Sequence, residues 1–273
     1  MRTFGLPALA LAVSLLAPRD ASAQPYPDAT PAPRTTSPAA MHELANDREI
    51  VERIRLGVAD EKRKDWDDAV AEFSEVLTLK PHEPQGSTAF YDLGIGRAGQ
   101  ADFAGAAEAF RAAIARDPGF LAARANLVSV ELSSGDLAAA REAASALIAA
   151  APDSARALYA SGLVALKIGD AAAAQAAFRK LLVSDPAYAV AHYDLAIAEQ
   201  TLGSFGEAER ELRTAIGLAP GYERARLALG AVLLREGKRD EARLAFDDAV
   251  RATPDPTLRN LAVSLRDAIQ VTR

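Results

Sequence analysis

Tyr91, Tyr159 and Tyr193 stand at multiples of one spacing along the chain, as do Arg156 and Arg224, and these side chains are suited to recognition. A tyrosine presents an apolar ring with a wet hydroxyl at its tip, and an arginine pairs with carboxylates or stacks on rings. Bond-making chemistry has far less to draw on. His42, His82 and His192 are the only histidines; they lie far apart, and none has a second ligand at metal-binding spacing, so they read as surface or packing residues. The absence of cysteine excludes disulfides, thiolate metal sites and cysteine nucleophiles. No phosphate-cradling glycine loop, Gly-x-Ser-x-Gly elbow or zinc-protease motif occurs. Neighbouring carboxylates such as Asp247 and Asp248 fall on exposed helical positions, where they serve solubility better than acid catalysis. The expectation is a protein that is not an enzyme and that carries no metal or cofactor.

Charge and composition narrow the partners. A formal net charge of -6 with a pI near 5.3 leaves no overall electrostatic footprint for nucleic acid or anionic lipid. Half of the residues are hydrophobic but only 6% are aromatic, and alanine recurs in runs such as Ala171 to Ala174. That balance favours many thin helices packed closely together over a thick β-sandwich core.

The chain opens with Arg2, an apolar run from Phe4 to Ala17, a short polar stretch and Ala21-Ser22-Ala23. This is a secretory signal pattern over 1–23: the run is shorter than the roughly 20 residues that a helix needs to cross a bilayer, and the small residues suit a signal peptidase. Cleavage is expected between Ala23 and Gln24, giving a periplasmic or secreted chain with no integral membrane segment; retention as an anchor is the alternative. Residues 24–40 are rich in Pro, Ala, Ser and Thr, a composition that cannot bury enough surface to order itself, and read as a flexible tether.

What positions the tyrosines and arginines is a repeat. Prolines fall at 81, 118, 152, 186, 220 and 254, the last five at a constant period of 34 residues. Alanines at 69, 106, 140, 174, 208 and 242 keep the same spacings. Four residues after them stand Phe73, Phe110, Ala144, Phe178, Leu212 and Phe246, and twelve before them Gly57, Gly94, Val128, Gly162, Ala196 and Gly230. Small residues let the two helices of a repeat approach closely, and the phenylalanines fill the space between layers. Gly135, Gly169, Gly203 and Gly237 are placed to turn the chain, Lys64 and Ala101 standing where the first two repeats lack that glycine. Asp65, Asp102, Asp136, Asp170 and Ser204 are expected N-caps, Ser204 with Glu207 forming a capping box. Each proline stops a second helix. The inserted Pro84-Gln85-Gly86 lengthens one loop, with Ser87 as a cap after it, and Gly99 reads as the edge of a turn. At the ends, Asn46 and Glu49 are placed to box the start of the first helix. Residues 257–270 carry Leu258, Leu261, Ala262, Leu265 and Ile269 on one helical face, as a solvating cap requires.

This pattern resembles the tetratricopeptide repeat, in six copies over 50–83, 87–120, 121–154, 155–188, 189–222 and 223–256, within a domain at 41–270. The resemblance implies an all-α, right-handed superhelical solenoid of helix-turn-helix repeats closed by a capping helix. It also implies that the first helices line a concave groove that holds a peptide or helix of a protein partner. Positions two, five and nine of the repeat then supply the candidate groove residues Arg156 and Arg224, Tyr91, Tyr159 and Tyr193, and Ile95, Leu163 and Ile197. Packing between neighbouring first helices is the competing role for the same residues. The first repeat has Ile54 and Val58 where the chaperone-binding subclass carries its lysine and asparagine clamp. The function expected is therefore a protein-binding scaffold of the cell envelope whose partner the sequence does not name. Handling of an envelope polysaccharide or secretion channel, and self-association, are the alternatives.

Overall fold

The computed structural model describes residues 38–271, which form thirteen helices and no strand. The expected signal segment and all but the end of the tether lie outside the described residues. The chain divides into two compact units at Asp136 and Leu137. In the first, α1 (Pro38–Arg63), α2 (Trp66–Thr78), α3 (Gln85–Gly99), α4 (Phe103–Arg116) and α5 (Leu121–Ser134) each pack on the next in sequence. In the second, the same holds from α7 onward: α6 (Leu137–Ala150) lies on α7 (Ala155–Ile168), followed by α8 (Ala171–Ser184), α9 (Ala189–Thr201), α10 (Phe205–Leu218), α11 (Glu223–Arg235), α12 (Arg239–Ala252) and α13 (Pro256–Val271). Odd-numbered helices up to α11 are the first helices of the repeats and even-numbered ones the second. First helices also touch one another, α1 on α3 and α7 on α9.

The periodic small residues explain the pairing. A methyl group at Gly94 would fall 2.6 Å from Cε1 of Phe110, and one at Gly162 would fall 2.5 Å from Cε1 of Phe178, so no side chain fits at either crossing. Phe73, Phe110, Phe178 and Phe246 are fully buried in these layers, as are Ala69, Ala106, Ala174, Ala208 and Ala242. Val128 and Ala144, where the third repeat departs from the pattern, are both buried. The cap behaves as its pattern requires: Ala262 is buried, and Leu258, Leu261, Leu265 and Ile269 of α13 pack against the core that holds Leu233, Phe246 and Ala249.

Local signals control the helix ends, with several corrections to the sequence expectation. Gly135 and Gly169 end α5 and α7 in the left-handed conformation at φ 85° and 84°, and Lys64 and Ala101 adopt it too, at φ 63° and 62°, although they carry side chains. α4 and α8 stop where Asp117 and Asp185, each followed by a proline, leave the helical region. Asp102 and Asp170 cap as expected, accepting from the N–H groups of Gly105 and Ala173 at 3.0 Å. Asp65 and Ser204 make no side-chain cap bond. The Ser204–Glu207 box does not form because the Glu207 carboxylate is drawn to Arg179 at 2.6 Å. Ser87 lies inside α3, and the cap there is Glu83, which accepts from the Ser87 N–H at 3.0 Å. Asn46 and Glu49 lie inside α1, which begins at Pro38, and Glu49 accepts from Arg53 instead. Gly99 is the last residue of α3 and lies directly against the Trp66 indole, a close approach and not a turn.

Candidate functional site

In each unit a first helix carries its fifth-position tyrosine toward the first helix of the next repeat. In the first unit, the Tyr91 ring packs against Phe110 and Phe120 with centroids 5.8 and 4.8 Å apart. Its hydroxyl accepts from Nδ2 of Asn126 on α5 at 3.3 Å. Tyr91 is 3% exposed and Asn126 fully buried, so this contact lies inside the unit. Ile95, one turn further along α3, is half-buried against the same cluster.

In the second unit the corresponding contact involves a charge. Tyr159 packs its ring 5.9 Å from that of Phe178 and 5.2 Å from that of Tyr188. Its hydroxyl donates to Oδ2 of Asp194 on α9 at 2.9 Å. Tyr193, the next residue before Asp194, pairs with Tyr222 at 5.1 Å. Four tyrosines on two successive repeats therefore surround one carboxylate that is 2% exposed. Burial pushes the Asp194 carboxyl up to about 7, against the opposing pull of the Tyr159 hydrogen bond and the Arg224 charge. Burial also raises the phenols: Tyr193 to about 12, with the Asp194 charge adding to it, and Tyr159, Tyr188 and Tyr222 in the same direction. Two cations oppose the trend, Arg156 acting on Tyr188 and Arg224 on Tyr193 and Tyr222.

Of the groove residues expected from sequence, the structure thus brings Arg156, Tyr159, Tyr193 and Arg224 into one cluster. Leu163 is 5% exposed and Ile197 half-buried, both serving the packing of the second unit. Tyr91 and Ile95 belong to the separate cluster of the first unit. Tyr91, Leu163 and Tyr193 have their bulk inside the fold, so the packing role is realised for all three. The tyrosine tips are another matter. The hydroxyls of Tyr188, Tyr193 and Tyr222 have no hydrogen-bond partner among the described residues, yet none is sealed from solvent. Asp194, Asn126, Tyr188 and Tyr222 were not singled out from sequence. The signal was present: Asn126 and Asp194 stand 35 residues after Tyr91 and Tyr159, and Tyr188 and Tyr222 are 34 apart.

His192 and His82 make local contacts. Nδ1 of His192 lies 2.5 Å from the Glu211 carboxylate and Nε2 lies 3.0 Å from the Pro186 carbonyl. His82 is exposed, 3.4 Å from Glu43.

Comparison with known proteins agrees with this geometry. A tetratricopeptide repeat model matches residues 97–162 and 201–265, and a second model of the same description matches 155–188, together more than half of the chain. The chain belongs to the tetratricopeptide repeat family. Among solved structures, a tetratricopeptide repeat protein from Parabacteroides merdae superposes with a TM-score of 0.68 at 19% identity, covering 82% of this chain and 86% of that one. MamA matches with a TM-score of 0.54 at 26% identity over 62% of this chain and 92% of its own. YrrB, a repeat protein described as having an unusual peptide-binding site, matches at 0.54 and 16% over 70% and 97%. No curated protein matches the sequence.

Proposed function

We propose that this protein is an exported, non-catalytic scaffold of the cell envelope that holds a peptide or helix of a protein partner along the first helices of its repeats. The fold supports a protein-interaction role, as tetratricopeptide repeats are in general non-catalytic binding arrays. The observation that carries the reading is the cluster on α7, α9 and α11, where Arg156, Arg224 and the solvent-reaching tyrosine hydroxyls form a polar, donor-rich surface over buried rings. Aromatic and arginine side chains of this kind are the usual anchors of protein interfaces. The peptide-binding site of YrrB lies on a related fold and agrees with this use of it. Export rests on the charged start, the apolar run and the small residues at 21 and 23. Among the described residues no helix is long and apolar enough to cross a membrane.

Two measurements test the reading. Mass spectrometry of the chain isolated from the envelope or culture fluid is expected to give an N-terminus at Gln24; an intact Met1 in the cytoplasm would refute export. A photo-crosslinking residue at Val190, on α9, is expected to capture the partner, whereas one at Val183, on α8, is not. Capture from Val183 alone would move recognition to the second helices.

A further inference from the structure

Buried acids in this fold are not all matched by a cation. Glu131 and Glu199 each meet an arginine of the preceding second helix, Arg111 and Arg179, and Asp60 meets Arg63 one turn along its own helix. Asp194 is buried as deeply, yet among the described residues its carboxylate has one hydrogen bond, from the Tyr159 hydroxyl, and no ion pair. An ionised carboxylate offers about four acceptor sites, so one donor replaces little of the hydration that burial removes. Asn126 fills the equivalent place two repeats earlier with a neutral amide, against the same tyrosine contact. The groups that face Asp194 are Tyr159 from α7, Tyr188 from the turn before α9, its neighbour Tyr193, and Tyr222 and Arg224 from the start of α11; Arg156 and Asp185 act on Tyr188. The paired charges of α8 and α10 are turned elsewhere: Arg179 to Glu199 and Glu207, Lys180 to Asp153, Glu209 to Lys238, and Glu211 to His192. α8 packs on both α7 and α9, and the direct contact of these two first helices is much the smaller.

We propose that Asp194 is a proton-operated latch within the second unit: neutral, it keeps α7 closed on α9 across the Tyr159 contact, and ionised, it draws in water and opens the seam between the repeats at 155–188 and 189–222. Opening returns the carboxylate to water while α8 still holds both helices. The direction follows from burial, which raises the closed carboxyl to about 7, whereas a hydrated one returns toward 3.8. Opening therefore grows as pH rises from about 4 and stops growing above about 7. The four phenols, all raised by burial, stay neutral over this range. The inference goes beyond the scaffold reading and stands without it: the first helices of the second unit are spaced differently in acid and at neutrality, whatever binds there.

The test is hydrogen–deuterium exchange of the full chain, read by mass spectrometry on peptides of α7 and α9 and corrected for the chemical exchange rate at each pH. Their protection is expected to fall at least about tenfold between about pH 5 and about pH 7 and to level off above about pH 8. The fall should be the same in water and in about 1 M urea, because a seam that opens exposes far less surface than unfolding does. Asp194→Asn should abolish it. His192→Gln and Glu199→Gln, which remove the other titratable groups of α9 in this range, should keep it. Tyr159→Phe and Arg224→Gln each remove a group that favours the ionised form and should move the fall to higher pH, a readout that remains if Asp194→Asn fails to fold. Protection that is indifferent to pH, or that falls equally in Asp194→Asn, overturns the proposal. So does a fall that steepens with urea as unfolding does, since the carboxylate then acts on cooperative unfolding and not on the seam. Loss of the fall in His192→Gln or Glu199→Gln would assign the proton to that group and overturn it as well.

Discussion

In the first unit the Tyr91 hydroxyl meets an amide, that of Asn126; in the second, the Tyr159 hydroxyl, two repeats further on, meets a carboxylate, that of Asp194. Ring, helix and spacing are the same, and both polar partners are buried. Other features also repeat between the units. A glycine lies under a phenylalanine in each, and a buried glutamate is bound by an arginine of the preceding second helix, Glu131 by Arg111 and Glu199 by Arg179. What differs is whether the contact between first helices can ionise. An amide is indifferent to pH, whereas a carboxylate raised toward neutrality makes this contact in the second unit follow the medium.

If the shared frame is as equal as its geometry implies, the largest losses should not distinguish the units. Phe110→Ala and Phe178→Ala each remove a fully buried ring and are expected to cost about 3–5 kcal/mol in urea melts. Gly94→Leu and Gly162→Leu are expected to cost about 2–4 kcal/mol each, through overpacking against those rings. A difference between the members of either pair beyond about 1 kcal/mol would show that the two frames are not equivalent.

The carboxylate should separate them. Because folding raises the Asp194 carboxyl from 3.8 to about 7, its contribution to stability is fully present below about pH 4, falls as pH rises, and is lost above pH 7. Asp194→Asn keeps an acceptor for Tyr159 and removes the proton. It is expected to leave stability unchanged near pH 4 and to raise it by about 2–4 kcal/mol at pH 8, read as a loss of slope in stability against pH. Asn126→Asp should import such a slope into the first unit. A wild-type profile that coincides with that of Asp194→Asn would mean that the carboxylate is solvated in solution.

Removing the hydroxyl from each side gives a smaller, graded effect. Tyr159→Phe leaves a buried carboxylate without its donor and is expected to cost about 1–3 kcal/mol at pH 8, and less at pH 5. Tyr91→Phe breaks a longer, neutral bond and is expected to cost about 0.5–1.5 kcal/mol at either pH. Equal, pH-independent losses would remove the distinction between the units. Replacing Tyr91, Tyr159 and Tyr193 by alanine together is a poor probe of binding, since two of the rings are buried.

The repeat, the helix pairing, the layer of Phe73, Phe110, Phe178 and Phe246 and the cap helix were legible in the sequence, because each depends on volume at a fixed period. The site was only partly legible. Periodicity found Tyr159, Tyr193, Arg156 and Arg224, but a period of 34 cannot show a contact that steps 35 residues, to the residue after the equivalent one. Asp194 and Asn126 therefore escaped. Packing and recognition stayed open for the tyrosines in the sequence, because a ring can fill a gap between first helices while its hydroxyl reaches water. Caps were legible where an aspartate had no competitor, as at Asp102 and Asp170, and not at Ser204, where Arg179 claims the glutamate of the expected box. Gly99 looked like a turn because its neighbour in space, Trp66, is over thirty residues away in sequence.

The smallest expected effect also divides the units, at the turns between paired helices. The second unit uses glycine at Gly169, Gly203 and Gly237, while the first holds Lys64 and Ala101, before Gly135 at its end, in the same left-handed conformation. A side chain there crowds the following carbonyl by about 1–2 kcal/mol, a strain that glycine avoids. Glycine also gains freedom in the unfolded chain, which returns about 0.4–1 kcal/mol of that advantage. Ala101→Gly should therefore stabilise the protein by a few tenths to about 1 kcal/mol, and Gly169→Ala should destabilise it by a similar amount. No Cβ clash confuses the second variant, since nothing lies within 4 Å of that position at Gly169. The pair thus reads backbone conformation alone. Opposite signs of comparable size in urea melts would establish that Ala101 stands where the other repeats have glycine. A loss at Ala101→Gly would mean that the turn of the first unit relaxes out of the left-handed region, and that its two helices are joined differently from those of the second.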